Sequence, residues 1–162
     1  MAETPLHLAE RLRTDGEKTV QFFRGLAPHD WEAIVYGEGA AWQVRQVLAH
    51  FVSAEAANRQ VVADIQKGGG GAPANFQIDQ FNASEVERLL QATPGELLDA
   101  FTGLRQLTVE LVGAMDESDL ARTGRHPFFG VAPLEEIIKL IYRHTQIHLR
   151  DIRRSLAQTG NG

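Results

Sequence analysis

The stretch Pro133 to Ile152 reads PLEEIIKLIYRHTQIHLRDI, and its reading decides the fold. Leu134, Ile138, Ile141, His148 and Ile152, with Leu156 just beyond, recur at three- and four-residue spacing, the period of one face of an α-helix. Pro133 suits the opening of that helix, and Glu135 and Glu136 lie near the positive end of its dipole. Arg150, Arg153 and Arg154 lie near the negative end, so a helix is predicted from Pro133 to about Ala157. Within it His144 and His148 are four residues apart, which puts both imidazoles one turn apart on one side. Two neutral ring nitrogens so placed can reach one ion at about 2.0–2.1 Å. Taken alone, such a pair is equally an ordinary feature of a solvated helix flank.

Working back along the chain, Val44, Val47, Leu48, Phe51, Val61, Val62 and Ile65 form the buried face of a helix predicted from Trp42 to Gln66. His50 falls on its inward side. The four glycines Gly68 to Gly71 stop that helix, and their backbone freedom predicts a mobile loop to about Phe81. Asn82 with Glu85 has capping-box spacing and predicts a start near Ala83. Thr93, Pro94 and Glu96 predict a second start, so this rod is broken into a short piece and a longer helix to about Ala114. Asp116 to Ala132 reads as a loop, which either brings His126 toward the ion or packs its two phenylalanines over the bundle end.

A first helix is predicted from Pro5 to Leu26, on Leu8, Leu12, Phe23 and Leu26. Asp15, Gly16 and Thr19 interrupt its apolar stripe, the mark either of a poor helix or of a cavity lining that could open a pocket above the ion. Ala27 to Ala41 reads as a connection. The fold class is all-α: an antiparallel four-helix bundle with one broken helix, as a single domain over 1–162.

Three histidines on the inner faces of two helices are costly to bury, because each ring has two polar nitrogens. A shared ion satisfies one nitrogen of each. WQVRQVLAHFVSAE (Trp42 to Glu55) and PLEEIIKLIYRHTQIHLRDI resemble the second and last helices of the DinB-like superfamily, which includes YfiT-like metal-dependent proteins. The resemblance spans most of the chain. Its pattern of one histidine in the second helix and a His-x-x-x-His pair in the last falls on His50, His144 and His148. It implies a bundle holding zinc, nickel or a similar divalent ion, often as a homodimer. For some members it also implies enzymes that use a low-molecular-weight thiol, among them S-transferases and maleylpyruvate isomerases.

Three protein ligands leave a position for water or substrate, as catalytic sites do. The 162-residue chain has no cysteine, so a thiol nucleophile must come from outside. In the competing hydrolase reading the ion activates water with a carboxylate base, for which Glu55 and Asp15 are the candidates. Either is equally a salt-bridged acid. A third reading is a metal-binding bundle without catalysis. Asp151 can orient His148 or pair with Arg150 or Arg154 at the surface. Arg59 and Arg143 are candidates for an acidic cofactor group or simply exposed. His7 and His29 read as surface residues, and Trp31 and Trp42 as covers of core edges. A net charge of −5 disfavours nucleic acid, and no apolar run approaches the roughly 20 residues of a membrane helix. The expectation is a cytoplasmic protein with a small-molecule substrate.

Overall fold

In the computed structural model, residues 2–39 and 41–160 are described. Five helices dominate: α1 (Pro5–Arg24), α2 (Val44–Gln66), α3 (Ile78–Leu89), α4 (Pro94–Gly113) and α5 (Leu134–Thr159). Single 3-10 turns cover Pro28–Glu32 and Glu117–Ala121. Strands β1 (Thr123–His126) and β2 (Gly130–Pro133) form an antiparallel hairpin just before α5. The predicted loop over 116–132 therefore carries ordered structure.

Local chemistry explains most boundaries. Thr4 caps α1 by accepting from the His7 N–H, with Pro5 at the first helical position. Thr93 and Glu96 form the predicted capping box of α4, with bonds of 3.1 and 3.0 Å. The box expected at Asn82 and Glu85 does not form a helix start. Both residues lie inside α3, which opens five residues earlier at Ile78, after Gln77 and without a side-chain cap.

The directions of the helices follow from which residues meet. Arg11 contacts Tyr142 and Asp15 contacts Gln146, a constant offset, so α1 and α5 run parallel. Phe51 packs on Phe101 and Glu55 pairs with Arg105, so α2 and α4 are also parallel. Gly16 faces Arg105 and Gly113 faces Ala9, which makes α1 and α4 antiparallel. α2 and α5 are antiparallel too. The broken third rod is what permits this. The glycine segment and α3, which packs on α2, carry the chain back so that α4 can repeat the direction of α2.

Two apolar clusters fill the bundle, one near each end. Leu8, Leu12, Val62, Ile65, Val112 and Ile138 belong to the first. Phe23, Val47, Leu48, Phe51, Phe101 and Ile152 belong to the second. Trp31 covers the edge of the second, stacked on Phe23 at 5.5 Å.

Polar side chains join the helices between these clusters. Arg105 of α4 is buried and donates two bonds to Glu55 of α2, at 2.7 and 3.0 Å. It also donates to Asp15 and the Leu12 carbonyl of α1, at 2.9 and 3.0 Å. Thr145 of α5 lies 3.4 Å from its Nη2. The interruption in the α1 stripe is therefore a socket for Arg105, and Gly16 also lines a groove of about 300 Å³ between α1 and α4, which none of the three histidines lines. A Cβ on Gly16 would stand 2.8 Å from Arg105 Cγ, so the missing side chain is what admits the arginine stem.

The glycine run is pinned. Gly71 has φ +82°, and a Cβ there would meet the Arg125 carbonyl oxygen at 2.4 Å. That close approach lets Arg125 N–H donate to the Gly70 carbonyl and Ala72 N–H to the Arg125 carbonyl, both at 2.8 Å. Asp64 adds a bond from the Gly71 N–H at 2.9 Å.

Candidate metal centre

His50 sits on α2 because Val47, Phe51 and their neighbours turn that face inward; His144 and His148 sit one turn apart on the facing side of α5. Their Nε2 atoms converge. His144 Nε2 lies 2.9 Å from His50 Nε2 and 3.0 Å from His148 Nε2. The rings stand nearly perpendicular, with interplanar angles of 76°, 80° and 87° for the three pairs. Among the described residues they are the group of histidines and acids placed to share one ion.

The donor chemistry fits a cation. An imidazole nitrogen has a single in-plane site, occupied by one hydrogen or one lone pair. His144 Nε2 has two close neighbours competing for that site, so ordinary hydrogen bonds cannot satisfy all three atoms. Three lone pairs directed at one ion can.

The tautomer of His148 agrees. Tyr36 Oη lies 2.7 Å from His148 Nδ1 and donates to Asp151 Oδ2 at 2.8 Å. With its proton committed to Asp151, the phenol accepts from His148 Nδ1–H, which leaves Nε2 as a bare lone pair. Burial and the Asp151 carboxylate both hold the Tyr36 phenol well above its usual pKa. Asp151 thus orients His148 through Tyr36, and at 3.7 Å it also approaches Arg150. Tyr36 lies in an irregular connection with no helical period, so sequence reading did not single it out. A tyrosine near the second helix is a weak signal by itself.

Replacing Tyr36 with phenylalanine keeps the ring and removes the bridge. Loss of such an outer partner typically weakens metal binding about 10- to 100-fold. A competitive chelator titration of Tyr36→Phe is expected to show a loss in that range, and unchanged affinity would contradict the bridge.

His50 is held differently. Trp42 packs against its ring with centroids 5.0 Å apart, and the Phe51 ring centroid lies 6.5 Å away. Its Nδ1 is buried without a hydrogen-bond partner among the described residues, so no hydrogen bond at that nitrogen fixes the ring. Burial pushes its pKa down to about 3. Burial likewise lowers His144 and His148, with the Asp151 carboxylate opposing the shift on His148. All three rings are neutral near pH 7, the state a metal requires.

These depressed values predict acid sensitivity. An unfolded histidine titrates near 6.5. Between that pH and about 3 the unfolded chain binds protons that His50 in the folded chain does not, so stability falls as pH falls through the window. One such ring accounts for about 2 kcal/mol between pH 7.5 and pH 5. Urea denaturation of metal-free protein at those two pH values is expected to show at least that loss. Equal stability would refute it.

The other sequence candidates fall outside the ligand cluster. Asp15 and Glu55 are buried and bound to Arg105, and burial holds the Asp15 carboxyl above its usual range against the pull of that arginine. Glu55 lines a narrow cleft together with His144. His126 is buried on β1, and both its nitrogens are engaged. Nδ1 accepts from the Phe128 and Phe129 N–H groups at 3.1 and 3.2 Å, and Nε2 donates to Asn58 Oδ1 at 2.8 Å. Phe128 and Phe129 do not pack over the bundle end as expected. They are 76% and 49% exposed at the hairpin tip. Arg143, His7 and His29 lie at the surface, while Arg59 is half-buried on α2 with no bonded partner for its Nε among the described residues.

A bundle of this topology with histidines converging from its second and last helices defines a class of helical protein with a candidate metal centre. The chain belongs to the DinB superfamily, which matches residues 11–152. Among solved structures it is similar to one described as "YfiT from Bacillus subtilis is a probable metal-dependent hydrolase with an unusual four-helix bundle topology". That likeness has a TM-score of 0.74 at 17% identity, covering 96% of this chain and 86% of the other, and it shows the fold. No curated protein matches significantly. No helix among the described residues is long and apolar enough to cross a membrane.

Proposed function

We propose that this protein is a metal-dependent enzyme that uses an external low-molecular-weight thiol on a small-molecule substrate, in S-transferase or isomerase chemistry. Zinc or nickel is the proposed divalent ion, with His50, His144 and His148 as its ligands. The convergence of the three Nε2 atoms carries the reading. An ion there supplies a Lewis acid with an open position, able to lower the pKa of a bound thiol or water.

The chain's own groups favour the thiol. Water activation calls for a nearby carboxylate base, and both candidates are committed elsewhere. Glu55 gives both oxygens to Arg105, and Asp15 bonds Arg105 and Gln146. A thiol, with a free pKa near 8.5, needs less help to ionise than water. Tyr36 and Asp151 hold His148 in the ligating tautomer, while the Trp42 ring packs on His50 and the Phe51 ring on His148. A cytoplasmic homodimer without nucleic-acid partners completes the proposal.

Hydrolysis is the second reading, favoured by the description of the YfiT structure. The test is an assay of zinc- and nickel-loaded protein with 1-chloro-2,4-dinitrobenzene and a panel of small thiols, beside an ester substrate without thiol. Thiol-dependent turnover above the metal-free control supports the first reading. Ester cleavage without thiol supports the second. Neither, with metal bound, leaves a non-catalytic metal-binding bundle.

A further inference from the structure

The three rings of the metal centre are not held alike. A histidine that ligates a metal through one nitrogen normally donates its other N–H to a carboxylate, a carbonyl or water, and that outer bond is worth about 10- to 100-fold in affinity. His148 has such a bond, from its Nδ1–H to the Tyr36 phenol at 2.7 Å, and the phenol passes on to Asp151 at 2.8 Å. His50 has none. Its Nδ1 is buried without a partner among the described residues, and the whole residue is 5% exposed. The Trp42 and Phe51 rings lie 5.0 and 6.5 Å from its own, centroid to centroid, and neither offers an acceptor. Ser53, one turn on, gives its hydroxyl to the His50 carbonyl at 3.2 Å instead.

Ligation sharpens this difference. An imidazole that gives its Nε2 lone pair to an ion must keep its proton on Nδ1. In His148 that proton has an acceptor in place. In His50 it becomes a buried donor with nothing to meet, which works against the bond to the ion. The helices add to the contrast. His144 and His148 stand one turn apart on α5, so their spacing is set within one element, whereas His50 comes alone from α2.

We infer that His50 is the displaceable ligand of the three: His144 and His148 hold the ion, and His50 yields its position to an incoming donor atom. The inference rests on the metal–thiol reading above. The position that His50 gives up, with the one that three ligands already leave open, makes two places for external donors. The ligand that uses both is a small chelating molecule, with a thiol sulfur and an amine or oxygen donor separated by two carbons. A thiol of similar size with sulfur alone fills only the open place.

The test uses the natural chain loaded with zinc and isotope-labelled at its histidine nitrogens, which are read by NMR. The probes are cysteamine, which offers sulfur and nitrogen, and ethanethiol, which offers sulfur alone. With ethanethiol all three Nε2 signals are expected to stay at their metal-bound positions. With cysteamine the His50 signal, assigned through its contact with Trp42, is expected to move to the free-imidazole position while His144 and His148 stay. Chelator competition on two alanine variants gives a second reading. His50→Ala is expected to lose about 10- to 100-fold less zinc affinity than His148→Ala, the worth of the outer bond that His50 lacks. If His50 stays on the zinc with cysteamine bound, or if the two variants lose affinity equally, His50 is an ordinary ligand and the inference is overturned, with the metal–thiol reading intact. If no zinc binds, or zinc binds and neither thiol reaches it, both fall together.

Discussion

Replacing Arg105 with alanine is expected to destabilise the fold by about 3–5 kcal/mol, the range for removing one partner of a buried ion pair. Asp15 and Glu55 are 7% and 4% exposed, and Arg105 is the cation facing both. Without it two carboxylates lie close together in the bundle centre, each stripped of water and of its counter-charge. The Leu12 carbonyl also loses a donor. Against a typical domain stability of 5–15 kcal/mol, that loss brings the chain near unfolding. Arg105→Lys keeps the charge but cannot reproduce the two-pronged contact with Glu55, and it is expected to fall in between. Denaturant unfolding of the natural chain and both variants checks the order. A loss below about 1 kcal/mol for Arg105→Ala would mean that water or side-chain movement relieves the carboxylates.

The second large effect is on metal affinity. His144 is the central ring, since its Nε2 touches both of the others. Loss of an outer partner alone can weaken binding 10- to 100-fold, so loss of this ligand is expected to exceed about 100-fold. Its effect on the fold has the opposite sign in acid. Burial forces the natural ring to stay neutral where the unfolded chain would protonate it, so His144→Ala removes part of the acid sensitivity. The variant is therefore expected to be folded, nearly metal-free and less pH-dependent than its parent. Chelator competition with unfolding curves at pH 7.5 and pH 5 measures all three. Retained affinity would show that His50 and His148 suffice without it.

The bundle was legible because its helices obey one period. The stripe from Leu134 to Ile152 and the proline and threonine starts at Pro5 and Thr93 survive in the structure almost to the residue. The same regularity exposed the histidine positions, because a polar ring within an apolar stripe stands out. What escaped has no period to betray it. The β1–β2 hairpin has four residues per strand, too short for an alternation signal. α3 starts without a side-chain cap, whereas Asn82 and Glu85 inside it have the spacing of a capping box. Arg105 looks like any charged residue on an amphipathic helix until Gly16, Asp15 and Glu55 are seen to meet it from two other helices. Tyr36 and Asn58 are placed by hydrogen bonds to partners more than 60 residues away. The parallel pairing of α2 with α4 depends on the return path through the pinned glycines and α3. The glycine run itself gave the opposite impression, since conformational freedom in a sequence becomes close backbone approach once β1 is beside it.

The proposed chemistry requires that the three converging nitrogens hold an ion. The decisive measurement is elemental analysis of protein purified without an affinity tag, beside the triple variant His50→Ala, His144→Ala, His148→Ala shown to be folded by circular dichroism. About one equivalent of a divalent metal is expected in the natural chain and none in the variant. An empty natural chain, after incubation with zinc and nickel, would contradict it and leave three buried histidines in a bundle with no metal chemistry.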